Sequence, residues 1–447
     1  MGASYAWRVR TTALLTDHYE LTMLQAALRS GAADRRTVFE LFGRSLPEGR
    51  RYGIVAGAGR ALDALEEFRF DDTALAHLRA AKVVDEPTVE WLASYRFSGD
   101  VWGYPEGEAY FPGSPLLVVE GSFAECVILE TVLLSIYNHD SAIASAASRM
   151  TNAARERPCL EMGSRRTHEW AAVAAARAAY IGGFSATSNL AAGRAYGIPT
   201  VGTSAHAFTL LYDSERDAFA AQVDSLGAGT TLLVDTYDIG AAVRVGVEVA
   251  GPELGAVRID SADLPHLARE VRRELDELGA RGTQIIVTSD LDEYALAALA
   301  VAPVDGYGVG TALVTGSGHP TCGFVYKLVA RGDAGSNEPL TPVAKLTRDK
   351  LSIGGRKWPS RRRDADGVAE AEVVRIGGPP PDYSEREREL LVPLMRKGER
   401  LLDESLEAAR ERHRRAVAEL PLDARHLSRG EPAIPTEYVT VNDATSD

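Results

Sequence analysis

The chain has 447 residues, with 49 Lys+Arg against 63 Asp+Glu and a formal charge of −14. Hydrophobic residues at 45% and charged residues at 25% exclude a disordered or fibrous chain. The acidic balance argues against a nucleic-acid binder, which needs a basic face; at about 150 residues per domain, or about 250 for one α/β barrel, the length suggests two domains.

The start, MGASYAWRVR, has no apolar run of the secretory kind. The apolar stretch Trp170 to Phe184 is interrupted by Arg177 and is too short to span a bilayer. Cys126, Cys159 and Cys322 are sparse, far apart and fit no zinc spacing, so they read as reduced thiols. A soluble cytoplasmic protein is expected.

Thr37–Phe42 (TVFELF) and Leu116–Gly121 (LLVVEG) read as strands, with helical stretches at Arg60–Phe68 and Thr88–Tyr95 between them. Strands and helices that do not alternate suggest an α+β unit. A long helix, rich in Ala, Leu and Ile, is expected from Phe123 to Arg155. From Cys159 short apolar runs alternate with helical stretches: 159–163, 179–185, 198–204, 230–237, 256–261, 284–290 and 304–310. Asp263–Gly279 is an amphipathic helix with Leu264, Leu267, Val271, Leu275 and Leu278 on one stripe. This rhythm predicts a parallel sheet, and about seven strands make closure into an α/β barrel plausible. After Lys327 come further strand-like segments, a Gly/Pro-rich break at 377–381, a charged helix from Glu385 to Leu420 and a polar, mobile end. The expected plan is an α+β domain over 1–154, a barrel over 155–330, and segments 331–447 that complete the first domain.

Almost every run of the barrel ends in a polar or glycine-rich cluster. The strand C-termini of a barrel meet on one face, which carries the site. That topology gathers Arg165, His206, Asp235, Arg258, Asp260, Asp290 and Gly310 without sequence proximity. Two arginines can grip phosphate or carboxylate in bidentate fashion. Carboxylates can hold Mg²⁺ or ribose hydroxyls. The turn Gly306-Tyr307-Gly308-Val309-Gly310-Thr311 lets backbone N–H groups approach an anion. A phosphorylated sugar with magnesium is the ligand class these features suggest.

These residues also carry a resemblance. LLTDHYELTM (14–23), LLSIYNHDSAIASAASR (133–149), EMGSRRTHEW (161–170), GGFSATSNLAAGRAYGIPTVGTSAHAF (182–208), LLVDTYD (232–238), RIDSADL (258–264), VTSDLDEY (287–294), GYGVGT (306–311) and FVYKLV (324–329) resemble, in order, nicotinate phosphoribosyltransferase of the type II phosphoribosyltransferases. The resemblance implies an irregular α/β barrel plus an α+β domain. It implies that nicotinate and phosphoribosyl pyrophosphate give nicotinate mononucleotide and pyrophosphate, with ATP hydrolysis coupled and Mg²⁺ required. It makes His206 the phosphorylated nucleophile, against the alternative of a structural histidine. Asp17 and Tyr19 are implied to reach a neighbouring subunit's site in a homodimer; by pattern alone Tyr19 and Met23 fit a packed helix face equally well.

Asp235 and Asp260 are expected to orient ribose, bind metal or hold the imidazole tautomer, with helix capping as the alternative; Asp235 and Asp290 are the metal candidates. Arg165 and Arg258 would hold the nicotinate carboxylate or the 5′-phosphate. Ser185, Thr187 and Ser188 would donate to a carboxylate, or else cap the helix that begins near Asn189. Asn138 is a pocket-wall candidate or a hydrogen-bonding latch. Gly308, Gly310 and Thr311 would bind phosphate. Lys350 and Lys357 read as solvated basic surface. Relatives that use nicotinamide carry an acid in the stretch that reads FSATSN here, so nicotinate is favoured over the amide. A quinolinate enzyme and a non-catalytic nucleotide-binding barrel are the other readings.

Overall fold

The computed structural model describes residues 11–260, 263–345 and 352–441. The N-terminal decapeptide, Ser261 and Lys350 therefore lie outside the described residues. The chain divides into two compact units, one from residues up to Ser141 together with Thr321 onward, the other from Ala142 to Pro320. Sequence reasoning set these limits at 154/155 and 330/331; the strand Phe324–Gly332 accounts for the second difference, because it pairs along Arg36–Gly43 in the first unit.

The first unit is built on a seven-stranded sheet in which Arg36–Gly43 is flanked by Phe324–Gly332 and by the central strand Pro115–Ser122, both antiparallel to it. Phe39 stacks on Tyr326, ring centroids 4.8 Å apart, and both are buried. A four-stranded sheet holds Lys357–Arg363 and Ala369–Ile376. Lys357 is a correction to the expectation of solvated surface: it is 3% exposed, and its ammonium donates to Glu40 at 2.6 Å. The C-terminal region also departs from expectation. Only Leu406–Glu419 of the expected charged helix is helical. Val392–Arg396 instead pairs antiparallel with Asp100–Gly103, and the expected mobile end contributes Thr436–Thr440, parallel to Ala369–Ile376. The long helix is two, Phe123–Val127 under a Ser122–Glu125 capping box and Glu130–Ala154.

The second unit is the α/β part. Its strands are Cys159–Glu161 (β1), Ala186–Thr187 (β2), Thr231–Leu233 (β3), Ala256–Ile259 (β4), Gln284–Val287 (β5) and Gly306–Val309 (β6). All pairings are parallel, in the order β2-β1-β6-β5-β4-β3. Sequence neighbours are sheet neighbours throughout, as in a barrel, except that β2 and β3 do not pair. The 198–204 run, expected to be a strand, meets the sheet only through an isolated Thr187–Thr200 bridge. The result is a half-barrel with a missing arc. Its core is aliphatic: Leu232, Leu233, Val257, Ile259, Ile285, Val287 and Val309 are all at most 1% exposed. Both faces of parallel strands are covered, so their sequences read as continuous apolar runs. The three cysteines are unpaired and buried. Among the described residues no helix is long and apolar enough to cross a membrane.

Candidate active site

Each strand of the half-barrel runs into a loop and then a helix, and capping is handled apart from the strand-end acids. Asp238 accepts the Ala241 N–H at 2.7 Å, Asp263 the His266 N–H at 3.3 Å, and Asp292 the Tyr294 and Ala295 N–H groups. These satisfy the orphan donors of three helices. Asp235, Asp260 and Asp290, two or three residues earlier, are thereby released from capping.

They are placed for other contacts. The Asp235 side chain is 2% exposed. One of its oxygens accepts the Asp260 N–H at 2.9 Å, and the other lies 3.9 Å from His206 Nε2. The His206 Nδ1 is 3.2 Å from the Thr236 hydroxyl. His206 opens the short helix His206–Thr209 with its side chain 43% exposed, which leaves the ring open to a reactant. Asp260 accepts the Thr288 hydroxyl at 2.7 Å.

Beside this chain of contacts is a cavity of ≈ 260 Å³, lined among others by Arg165, Arg166, Arg258, Asp260, Asp290 and Gly310. Arg258 is half-buried, and its Nε has no hydrogen-bond partner among the described residues. Desolvation lowers its pKa; Asp260 and Asp235 oppose that shift, while the like charge of Arg165 adds to it. Converging cations with an unused buried donor are the electrostatics of an anion site. Ser289, also in the wall, holds φ at 145°, a strained backbone state of the kind that collects at functional sites.

The glycine turn splits into two roles. A Cβ on Gly308 would lie 2.5 Å from the Thr288 methyl and 2.8 Å from Met162 Sδ, so close packing of strand ends demands that glycine. A Cβ on Gly310, which lines the cavity, would find its nearest atom at 3.5 Å, an ordinary contact. The Thr311 hydroxyl is 3.4 Å from Asp290.

Ser188, just after β2, is exposed, whereas Ser185 precedes β2, half-buried, with its N–H on Cys159 O at the start of β1 and so away from the strand C-termini. Thr187 is different: it is 0% exposed, donates its hydroxyl to Glu161 and accepts the Asn189 N–H, which leaves no donor for a ligand. Asn189 caps the helix Leu190–Tyr196 through the Ala192 N–H. Arg166, Thr288 and Ser289 line the cavity although sequence reasoning did not select them. Adjacent strand or loop residues tend to point in opposite directions, which makes Arg166 a weaker candidate than Arg165 from sequence; it sits in a turn closed by its own N–H on Gly163 O and lines the same cavity.

In the first unit, Asp17 caps the helix His18–Ser30, and Tyr19 on that helix is 45% exposed, with Met23 at 37%. That excludes packing of this pair in a core of the chain's own. Burial and the nearby Glu130, Glu20 and Asp17 carboxylates push the Tyr19 phenol up to about 12. Asn138 acts as a latch: its Oδ1 accepts the Phe324 N–H at 2.8 Å and the Thr321 hydroxyl at 2.9 Å.

Comparison with known proteins bears on the same residues. A sequence model of the nicotinate phosphoribosyltransferase N-terminal domain matches residues 14–138. A nicotinate phosphoribosyltransferase of Mycobacterium tuberculosis is 57% identical over 434 residues, 95% of each chain. That of Bacillus subtilis is 37% identical over 79% of this chain and 74% of its own. The human nicotinic acid phosphoribosyltransferase structure superposes with a TM-score of 0.81 at 26% identity, covering 96% of this chain and 97% of that one. A nicotinate-nucleotide pyrophosphorylase structure from Pyrococcus furiosus gives 0.75 at 25%, covering 94% and 98%. Near-complete coverage at this identity, on a half-barrel whose strand ends assemble the expected histidine, acids and arginines, makes the chain a member of the nicotinate phosphoribosyltransferase family.

Proposed function

We propose that the chain makes nicotinate mononucleotide and pyrophosphate from nicotinate and phosphoribosyl pyrophosphate, coupled to ATP cleavage through a phosphohistidine at His206, as a step of NAD formation in the cytoplasm. The observation that carries this reading is the accessible His206 ring beside Asp235, itself bonded to the Asp260 N–H at the edge of a cavity holding three arginines.

The residues divide the work. Asp235 stands 3.9 Å from Nε2 and the Thr236 hydroxyl 3.2 Å from Nδ1, so the ring is flanked on both sides, and one ring nitrogen of the neutral imidazole keeps a lone pair. That nitrogen attacks the γ-phosphorus of ATP; the N–P bond forms, the bond to the bridging oxygen breaks, and ADP leaves. Water later returns the imidazole and inorganic phosphate. In the sugar step the nicotinate ring nitrogen bonds to C1 as the C1–O bond to pyrophosphate breaks. Asp260, with one oxygen fixed by Thr288, faces the positive charge that develops on the ribose. Arg165, Arg166 and Arg258 take the anionic groups of the sugar phosphate. The backbone at Gly310 leaves room for a phosphate oxygen.

Among the described residues no group of three His, Cys, Asp or Glu is arranged to hold a metal. One or two carboxylates with substrate oxygens suffice for Mg²⁺, which keeps most of its water. Asp290 and Asp260 in the cavity wall fit that pattern; Asp235, the other candidate, is turned toward His206. Bound there, Mg²⁺ would neutralise charge on the departing pyrophosphate.

Nicotinate is the base on chemical grounds. Ser188, just after β2, is a donor at the strand end that faces the site; Ser185 precedes β2, at the start of β1. The carboxylate of that region, Glu161, is 1% exposed and already accepts two hydrogen bonds, so it offers an amide substrate no acceptor. A homodimer with shared sites is supported by Leu14, Leu15, Tyr19 and Met23, all exposed near one helix start.

The test is product analysis with nicotinate or nicotinamide, each with and without ATP, on wild type and His206→Ala. Wild type forms nicotinate mononucleotide faster with ATP; the variant loses ATP hydrolysis and retains slow, ATP-independent synthesis. Nicotinamide mononucleotide as the only product, or normal ATP hydrolysis by the variant, overturns the reading.

A further inference from the structure

Glu161 is a buried acid that the steps above do not use. It ends β1 at 1% exposure, and among the described residues no lysine or arginine pairs with it. An unpaired buried carboxylate is costly unless hydrogen bonds hold it. Burial does push its pKa up, opposed by bonds from Thr187 and Gly163.

Those bonds belong to a closed circuit. The Gly163 N–H donates to Glu161 at 2.5 Å, and the Thr187 hydroxyl donates to its other oxygen. Thr187 accepts the Asn189 N–H at 2.9 Å, and the Asn189 amide donates to the Ser164 hydroxyl at 3.0 Å. The Ser188 N–H adds a bond at 2.8 Å to the Glu161 main-chain oxygen. The circuit thus ties the ends of β1 and β2 together and closes on the residue before Arg165. On the other side, a Cβ on Gly163 would lie 2.2 Å from Val314 and 3.0 Å from Gly310 O, so the turn is seated against Gly310 in the cavity wall.

We propose that Glu161 is a positioning residue whose buried carboxylate fixes the 163–166 turn, and so aims Arg165 and Arg166 at the phosphate groups of the sugar substrate. This rests on the phosphoribosyl reading of the cavity. Glu161 does not touch substrate; it acts through Arg165 and Arg166. A misplacement of about 1 Å in such a clamp costs up to about 100-fold.

The test is a double-mutant cycle of Glu161→Gln with Arg165→Ala, read as calorimetric affinity for phosphoribosyl pyrophosphate without a base and as steady-state synthesis. Glu161→Gln keeps shape but offers an amide where the second acceptor stood. The expected result is an affinity loss and KM rise of about tenfold, kcat within about threefold, and little further loss when it is added to Arg165→Ala. Equal losses on both backgrounds, or a loss confined to kcat, overturn it. Should Glu161→Gln fail to fold, Thr187→Val and Thr187→Ser take its place: valine reproduces the KM effect and serine rescues it, and failure of either part overturns the proposal. Wild type that binds the sugar substrate but makes no nicotinate nucleotide refutes the proposed reaction while the cycle still decides Glu161; wild type that does not bind it refutes both.

Discussion

His206 and the two glycines show how much single residues carry at the mouth of the half-barrel. The residue that must stay small for packing is Gly308, whereas Gly310 lines the cavity with only ordinary contacts around its Cβ position. Gly308→Ala forces its Cβ onto Thr288 and Met162 and is expected to cost about 1–3 kcal/mol of stability by overpacking, read in denaturant melts. Gly310→Ala meets only ordinary contacts. It is expected to leave the melt within about 0.5 kcal/mol while affinity for phosphoribosyl pyrophosphate falls about tenfold or more. An unchanged affinity would remove Gly310 from the phosphate contacts. Lys357 makes the opposite point: a lysine among basic neighbours in sequence is the buried partner of Glu40, which local composition does not reveal.

At the level of elements, strand-end chemistry was legible and chain reversals were not. The runs ending at Asp235, Asp260 and Asp290 could be read because apolar strands stop abruptly at acids, and a second acid follows as cap. The 198–204 run has the same apolar look but lacks a partner strand, a tertiary fact. The segment 385–405 was mistaken for helix because its charges mask Leu390, Leu391, Leu394 and Met395, all at most 2% exposed. Its signal was Lys397-Gly398, where φ is 50° and 76°, the two positive values of a tight hairpin turn. The helix Glu215–Leu226 supplies a pH prediction. Burial, then the neighbouring Asp238, pushes the Glu215 carboxyl from 4.5 to about 7. The folded chain therefore holds this proton at pH values where the unfolded chain has lost it. Its stabilising contribution is full below 4.5 and is lost as pH rises through 7. Glu215→Gln removes that dependence. The Tm difference, variant minus wild type, should rise by roughly 1–2 °C between about pH 5 and pH 8; a difference that is flat with pH contradicts the assignment.

At the level of the whole molecule, the exposed Tyr19 helix and the His206 site belong to different compact units. If a homodimer lends Tyr19 of one subunit to the site of the other, two variants that each lack ATP-coupled synthesis complement. Tyr19→Ala mixed with His206→Ala, unfolded and refolded together, is expected to regain about a quarter of wild-type ATP-coupled activity. Random pairing makes about half the dimers mixed, each with one intact site of two. No recovery, with mixed dimers shown to be present, would place Tyr19 and His206 in one subunit's site or outside any site.

The gap between β2 and β3 bears on turnover. His206 follows the stretch that bridges this gap, where Thr200 makes an isolated bridge and no ladder continues toward β3. Segments with few ladder bonds open at lower free energy than a sheet interior. In the phosphohistidine role proposed for it, His206 must meet a nucleotide, then water, then let both products go. Riding on the one seam the sheet leaves unlaced, it can change its surroundings while the arginines and acids opposite keep their places.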